Sequence, residues 1–173
     1  LKLWLKTACK IRESVRGARF LIVGDGEERA QLEALTVKLG LADSVVFSGR
    51  RRDVQRFLPL MNVFMLTSDM EAKPVSILEA MSAGVPVVTT DVGSNSETIE
   101  EGVTGHLVPA GDRDGLARRA TELLLRPGQA RLMGQAARDE VIANHSVTAM
   151  VYGYEDLISH IYDQKCRRQR LPK

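Results

Sequence analysis

Two glutamates, Glu71 and Glu79, stand eight residues apart near the middle of the sequence. Pro74 lies between them, and the apolar residues after it recur at helical spacing. Glu71 is therefore predicted in a loop, and Glu79 about one turn inside a helix. Because a carboxylate accepts hydrogen bonds from hydroxyl groups, this spacing predicts a crevice that binds hydroxyls at two points.

The start of the same helix adds a second kind of chemistry. The backbone amides around Val75 and Ser76 have no partner inside the helix, and the helix dipole favours an anion beside them. A pyrophosphate bound at this turn would place Glu79 near a ribose and Glu71 on the sugar side of the phosphates. No base lies near Ser76 in the sequence, so we interpret its hydroxyl as a phosphate ligand and not as a nucleophile. The segment thus predicts binding of a nucleoside diphosphate sugar.

The surroundings of Glu79 bear on this interpretation. A glutamate on a helix is most often a solvated surface residue. Here most neighbouring positions of the helix are apolar: Ile77, Leu78, Ala80, Met81 and Ala83. This composition predicts a buried helix, on which a carboxylate needs a partner.

The rest of the chain predicts an α/β domain that positions this segment. Short apolar runs bounded by turn residues predict strands at 19–23, 45–47, 62–66, 86–90 and 105–108. Helical spacing predicts a first helix that Gly17 ends, a short helix capped by Asp53, another opened by Ser94, and helices at 27–39, 75–83, 112–126, 128–143 and 147–165. Alternating strands and helices favour a Rossmann-like, doubly wound parallel sheet, whose ligands bind at the carboxyl ends of the strands.

Composition limits the classes of protein. The 173 residues, 44% of them hydrophobic, suffice for one domain spanning 1–173. A net charge of +2 from 24 basic and 22 acidic residues gives no nucleic-acid signature. Two scattered cysteines favour the cytoplasm and provide neither a disulfide framework nor a metal site. The basic tail, 166–173, leaves open a peripheral contact with the inner face of a membrane.

The stretch from Ser68 to Gly93 resembles the signature of glycosyltransferase family 4. It reads SDMEAKPVSILEAMSAGVPVVTTDVG. The resemblance implies a GT-B fold of two facing Rossmann-like domains, with this chain as the C-terminal, donor-binding domain. It also implies metal-independent transfer with retention of anomeric configuration. Because the sequence opens on Leu1 in a helical pattern, we expect a preceding strand and an N-terminal acceptor-binding domain outside these residues, and we expect the fragment alone to be inactive.

The same resemblance implies roles for individual residues. Glu71 would contact the donor sugar near the reacting carbon, and Glu79 would hold the ribose. The backbone from Lys73 through Pro74 and Val75 to Ser76 would meet sugar and phosphate oxygens. The strand end at Gly49 and Arg50 resembles the edge that binds the base.

Three positions depart from the family pattern. Ala72 stands where glycine is usual, and Lys73 stands where an aromatic residue is usual. Lys73 is either a cation near a phosphate or acidic sugar, or an exposed lysine without a role. Ser94 replaces a common second glycine and is predicted to cap the helix that follows it. The family's phosphate-binding arginine and lysine are expected before Leu1.

Two other functions stay open. A different GT-B enzyme, such as a sugar-nucleotide epimerase, would use the same domain, and a noncatalytic nucleotide-binding module would have a similar shape. Arg50 begins a run of three arginines, which is either a solvated charge run or a contact for the nucleotide. The turn from Gly24 to Gly26 carries two glycines and acidic neighbours, which disfavours a dinucleotide fingerprint.

Overall fold

The computed structural model describes the backbone of residues 1–169 and the side chains of residues 1–165. The helices are α1 Lys2–Ser14, α2 Arg29–Lys38, α3 Val75–Ser82, α4 Asn95–Thr98, α5 Arg113–Leu125, α6 Pro127–Asn144 and α7 Val147–Gln169. The strands are β1 Phe20–Ile22, β2 Val45–Phe47, β3 Phe64–Leu66, β4 Val87–Thr90 and β5 Gly105–Val108. Two short 3-10 helices, Val54–Arg56 and Leu58–Leu60, lie between β2 and β3.

All strand pairs are parallel, which confirms the predicted α/β class. The strands form two sheets, however, where the sequence predicts one. β1 pairs with β2, and β3, β4 and β5 form a second sheet in that order. No ladder joins β1 to β3 within the described residues.

One apolar core lies beneath both sheets. It contains Phe20 and Val45 of the first sheet and Val88 of the second, together with buried residues of α1, α5 and α6. α1 contributes Trp4, Leu5, Ala8 and Ile11, whose helical spacing puts them on one face. A second cluster lies under α3 and includes Ile77, Met81 and Val87. β4 therefore has an apolar core on each face, as its continuous apolar sequence predicts.

α6 holds α3 in place through a close backbone contact. A Cβ atom built on Gly134 would lie 2.0 Å from the carbonyl oxygen of Gly84, just beyond α3. Only glycine permits this approach. Arg138 of α6 also donates a hydrogen bond to the carbonyl of Ser82, the last residue of α3. The helix that carries Glu79 is thus supported from its far end.

Two predicted helix caps are wrong. Neither Asp53 nor Ser94 uses its side chain to cap the helix that follows it. Asp53 instead pairs with Arg51, and Ser94 donates a hydrogen bond to the carbonyl of Ala72. In both cases a partner outside the helix takes the capping side chain. The predicted C-terminal helix is confirmed, and the basic tail lies outside the described side chains.

Candidate functional site

Glu71 lies in the turn between β3 and α3, and its carboxylate is held in place. Ser68 Oγ donates a hydrogen bond to Glu71 Oε1 at 2.6 Å. The backbone of Ser68 is fixed in turn, because its carbonyl accepts a hydrogen bond from Thr90 Oγ1 at 2.6 Å. The end of β4 therefore positions the serine that orients Glu71.

Gly93 presses against the backbone of the same turn. Its φ of +56° lies in the left-handed region, and a Cβ atom built on it would stand 1.7 Å from the carbonyl oxygen of Glu71. Any other residue would displace Glu71, because the obstacle is backbone and not a flexible side chain. Both the left-handed φ and the close approach to the Glu71 carbonyl therefore require glycine at position 93.

Polar residues beside Gly93 complete this support. Ser94 Oγ donates to the carbonyl of Ala72, the residue after Glu71. Asn95 is fully buried, and its Nδ2 donates to the carbonyl of Thr90 at 2.8 Å. A buried amide bonded to the strand end fixes where the Gly93 turn begins. We call the group Ser68, Thr90, Gly93, Ser94 and Asn95 the Glu71 support.

α3 begins directly after this turn. Pro74 occupies its N-cap position with an extended ψ of 108°, so the amides of Val75 and Ser76 open the helix. Val75 is 64% exposed, and Ser76 is half-buried. The exposed start of α3 can therefore accept an anion from solvent. Lys73, before Pro74, is exposed as well.

Glu79 lies on the outer face of α3, and its predicted burial is wrong. The helix buries Ile77, Ala80 and Met81, whereas Glu79 is exposed. The apolar composition of α3 predicted a helix buried on all sides, but the same composition also fits a helix with one face exposed to solvent. Glu79 is four residues after Val75, so both lie on the same exposed face, about one helical turn of 5.4 Å apart.

Gly49 and Arg50 lie at the end of β2, beside the Gly24 turn. The amide of Gly24 donates to the carbonyl of Gly49 at 2.9 Å, which joins the turn after β1 to the turn after β2. Arg29 occupies the space beside Gly49 and forms ion pairs with Asp25 and Glu33. Hydrogen bonds from Arg29 to Glu33 and Asp25 raise the pKa of its guanidinium.

The three consecutive arginines differ in their contacts. Arg51 pairs with Asp53 through two contacts of 3.0 Å and lies 5.0 Å over the ring of Phe57. Arg50 is exposed and forms no ion pair within the described part of the chain. Arg52 is likewise exposed and without an ion pair among these residues, so Arg50 and Arg52 are both available to an anionic ligand, and Arg50 lies nearer the end of β2.

The structure groups the predicted site residues in two places. Glu71, Lys73, Pro74, Val75, Ser76 and Glu79 lie along the turn and helix that follow β3, while Gly49 and Arg50 lie at the end of β2. No hydrogen bond or ion pair links the two groups among residues 1–165. Sequence reasoning missed the Glu71 support. Its local contacts are those of Ser68 with Glu71, three residues apart, and of Asn95 with Thr90, five residues apart. The contacts of Thr90 with Ser68 and of Ser94 with Ala72 join residues 22 apart, which no local pattern indicates.

Other surface features lie elsewhere. Two depressions lie between α1 and the start of α5, and Lys6 and Arg113 line both of them. Within residues 1–165, no group of three or more histidine, cysteine or acidic side chains could hold a metal ion. Of the helices that the structure describes, none is both long and apolar enough to cross a bilayer.

The family profile of glycosyl transferases group 1 matches residues 1–140, so the chain belongs to this family. N-acetyl-alpha-D-glucosaminyl L-malate synthase of Bacillus anthracis is 36% identical over 140 residues, which cover 81% of this chain and 37% of that protein. The chain thus spans less than half the length of this relative.

Solved structures of GT-B glycosyltransferases resemble the fold. Sucrose-phosphate synthase of Thermosynechococcus elongatus superposes with a TM-score of 0.81 at 27% identity, covering 92% of this chain and 42% of that one. Anabaena Alr3699/HepE, solved in complex with UDP-glucose, superposes with a TM-score of 0.73 at 26% identity, covering 87% of this chain and 44% of that one. The fold expected from the sequence is therefore confirmed.

Proposed function

We propose that this chain is the C-terminal, donor-binding domain of a retaining, family 4 glycosyltransferase. The reaction transfers a sugar from a nucleoside diphosphate sugar to a glycan, lipid or other acceptor. The observation that carries the proposal is the placement of Glu71, fixed by its support, directly before the exposed start of α3.

The phosphates bind at the first turn of α3. The amides of Val75 and Ser76 and the helix dipole provide a preorganised positive field, which stabilises the departing nucleoside diphosphate without a metal ion. The hydroxyl of Ser76 and the ammonium of Lys73 add a hydrogen bond and a positive charge. Since the helix fixes the amides of Val75 and Ser76 before the donor arrives, these amides need little reorganisation as the glycosidic bond breaks.

The two glutamates bind opposite ends of the donor. Glu79, one turn along α3 from Val75 on the same exposed face, accepts hydrogen bonds from the ribose hydroxyls. Glu71 lies on the other side of the phosphates and faces the sugar as it acquires oxocarbenium character. The support that orients Glu71 matters because a misplacement of about 1 Å in an active site can cost about 10²-fold in rate.

We assign the binding of the nucleotide base to Gly49 and Arg50. Alr3699/HepE of Anabaena is solved with UDP-glucose, which makes a UDP-sugar the first donor to test. Arg50 has no acidic partner within residues 1–165, in contrast to Arg51, and it is the cation we expect beside the nucleotide.

The partner of this domain is an N-terminal, acceptor-binding domain outside the 173 residues. α7 supports this assignment with exposed apolar side chains at helical spacing: Val147, Met150, Val151, Tyr154, Leu157, Ile158 and Ile161. Such a face is suited to pack against another domain. We expect the chain alone to bind donor weakly and to transfer no sugar, and we place the reaction in the cytoplasm or at the inner face of a membrane.

Thermal unfolding in the presence of nucleotides tests the proposal. The chain is heated with UDP, GDP, ADP and the glucose or mannose derivative of each. A ligand at one hundred times its Kd should stabilise the fold by about 2.7 kcal/mol. We expect one nucleotide series to raise the Tm and Glu79→Ala to abolish the shift.

The matched control is Glu13→Ala, which removes an exposed glutamate from α1. It should preserve the ligand-induced shift. Indifference of the wild-type chain to all six ligands would refute donor binding. Equal stabilisation by a free nucleotide and its sugar derivative would instead favour a noncatalytic nucleotide-binding module.

A further inference from the structure

Arg29 lies beside Gly49, at the strand end to which we assign the nucleotide base. A Cβ atom built on Gly49 would lie 3.5 Å from Arg29 Nη1 and 3.9 Å from Asp25 Oδ2. The amide of Gly24 donates to the carbonyl of Gly49 at 2.9 Å, which holds the turn after β1 against the end of β2. Although Arg29 opens α2, its guanidinium therefore forms part of the surface around Gly49.

Two carboxylates orient the guanidinium of Arg29. Its Nη1 pairs with Asp25 Oδ2 at 3.0 Å, and its Nε pairs with Glu33 Oε1 at 2.8 Å. Asp25 is oriented in turn, because its Oδ1 accepts a hydrogen bond from the amide of Gly26 at 2.9 Å. The two pairs are partly exposed and add little to stability. Because they contact different nitrogens of one planar group, they favour one orientation of its plane without locking it.

The guanidinium of Arg29 has no aromatic partner within residues 1–165. Its side chain is 37% exposed, so a ligand can approach it from solvent. Arg51, near the same strand end, differs because its guanidinium already lies over the ring of Phe57, 5.0 Å from the centroid. Guanidinium groups stack on the rings of aromatic side chains and of nucleotide bases alike. Arg29 is thus an oriented guanidinium that is still available for a ring.

The charges around Arg29 disfavour a phosphate as its ligand. Residues 24–33 carry four acidic side chains and one basic side chain. Arg29 is that basic residue, and two of the four carboxylates already pair with it. No net positive charge is left at this turn to attract an anion. The ligand that fits is an uncharged planar group, and the base is the uncharged planar part of a nucleotide.

We propose that Arg29 is a stacking platform for the nucleotide base of the donor. This inference rests on the proposed function, in which the donor phosphates bind at the start of α3 and the base lies at Gly49. The base stacks on the guanidinium plane of Arg29, and Asp25 and Glu33 are positioning residues that act through Arg29. Because every base has a ring face, the platform increases affinity for nucleotides in general and does not select one base.

Arg29→Lys tests the platform. Lysine keeps the positive charge and can still pair with a carboxylate, but it lacks the planar group that stacks. Kd values are measured by NMR titration for UDP, for GDP and for ribose 5-diphosphate, which has no base. We expect the substitution to weaken whichever nucleotide the wild-type chain binds by about three- to fivefold. The Kd of ribose 5-diphosphate should not change.

Arg51→Lys is the matched control, because Arg51 is also paired with a carboxylate but already has Phe57 as its aromatic partner. It should change none of the Kd values. Equal weakening of the nucleotide and of ribose 5-diphosphate by Arg29→Lys would show that Arg29 acts through its charge or through the fold. Unchanged nucleotide affinity, or an equal effect of Arg51→Lys, would also overturn the platform.

A second measurement needs no substitution at Arg29. In the complex of the wild-type chain with its nucleotide, we expect nuclear Overhauser effects between the base protons and the Arg29 side chain. If ribose protons show such effects with α3 but the base shows none with Arg29, the platform is refuted while donor binding stands. If neither UDP nor GDP binds the wild-type chain, donor binding itself is refuted, and the platform with it.

Discussion

The two sheets differ in how their carboxyl ends are held. At the end of β4, Thr89, Thr90 and Asn95 are fully buried, and hydrogen bonds from Thr90 and Asn95 fix the backbone of the turns. At the ends of β1 and β2, the turns carry exposed ion pairs, those of Arg29 with Asp25 and of Arg51 with Asp53. Buried hydrogen bonds hold a turn in a single conformation. Exposed ion pairs contribute little to stability, and their side chains rearrange easily.

This difference matches the two tasks that we propose. The sugar and phosphates require fixed geometry, because charge develops there during the reaction. The nucleotide base only has to be bound, because no charge develops on it during the reaction. The less rigid strand end at Gly49 and Arg50 is sufficient for that. Three substitutions at these strand ends test whether the β4 end is the more rigid, and a fourth, at Glu101 beside β5, tests a partly exposed polar contact. They follow in order of expected effect, beginning with the largest.

Gly93→Ala should have the largest effect. A left-handed φ costs a non-glycine residue about 1–2 kcal/mol, and forcing a methyl group into packed atoms costs about 1–3 kcal/mol. We therefore expect the free energy of unfolding, measured in urea, to fall by about 2–5 kcal/mol. The matched control is Gly102→Ala, where φ is +78° and no atom lies within 4 Å of the added Cβ. Gly102→Ala should lower the free energy of unfolding by the cost of the left-handed φ alone. If both variants lose the same amount, the contact with Glu71 does not constrain Gly93.

Asn95→Ala should rank second. The substitution removes two buried hydrogen bonds, from Asn95 Nδ2 to the Thr90 carbonyl and to Thr89 Oγ1, while the Thr90 carbonyl keeps the Val92 amide as a donor. We expect the loss of these two bonds to cost about 1–3 kcal/mol. Ser96→Ala, at the exposed neighbouring position, is the control and should leave the urea midpoint nearly unchanged. If Asn95→Ala also unfolds with the wild-type midpoint, the buried amide does not hold the end of β4.

Glu101 should give a smaller, pH-dependent effect. Burial raises the pKa of its carboxyl, but hydrogen bonds from the Leu107 amide and His106, with the charges of His106 and Arg119, outweigh burial and lower it below 4.5. A lowered folded-state pKa stabilises the fold above the ordinary glutamate range, and this stability is lost as the pH falls through the folded value. The side chain is 43% exposed, so the contribution is less than about 1 kcal/mol.

Glu101→Gln tests that sign. The variant should be less stable than the wild type at pH 7, and the difference should shrink as the pH is lowered through the acid range. Unfolding in urea at several pH values measures it. A difference that stays constant with pH would contradict the assignment.

Asp53→Asn should have the smallest effect. The hydrogen bond from Arg51 lowers the pKa of Asp53 despite some desolvation, but the pair is exposed at the surface. Solvent screens such pairs, so the urea midpoint should stay within experimental error. A loss as large as that of Asn95→Ala would mean that the two ends are equally rigid.

The sequence predicted most of the elements. β4 was predicted over 86–90 and runs over Val87–Thr90, and α3 was predicted over 75–83 and runs over Val75–Ser82. These predictions are confirmed because continuous apolar runs and helical spacing are local signals that the tertiary structure preserved. The roles of Glu71 and Glu79 in donor binding stay predictions.

Contacts between distant segments could not be predicted. Ser94 carries a helix-cap signal but bonds to Ala72, 22 residues away in sequence. The break between β1 and β3 depends on which strands are adjacent, which no local pattern specifies. Glu79 is exposed because α3 packs through one face, and composition alone does not reveal which face remains open.

An NMR titration of backbone amides measures the central claim most directly. The labelled chain is titrated with the nucleotide sugar that gives the largest thermal shift. We predict that the amides of Val75 and Ser76 move most, followed by those of Gly49 and Arg50, and that Glu79→Ala abolishes the changes. Changes centred on the depressions beside α1, at Lys6 and Arg113, or no changes at α3, would contradict donor binding at this site.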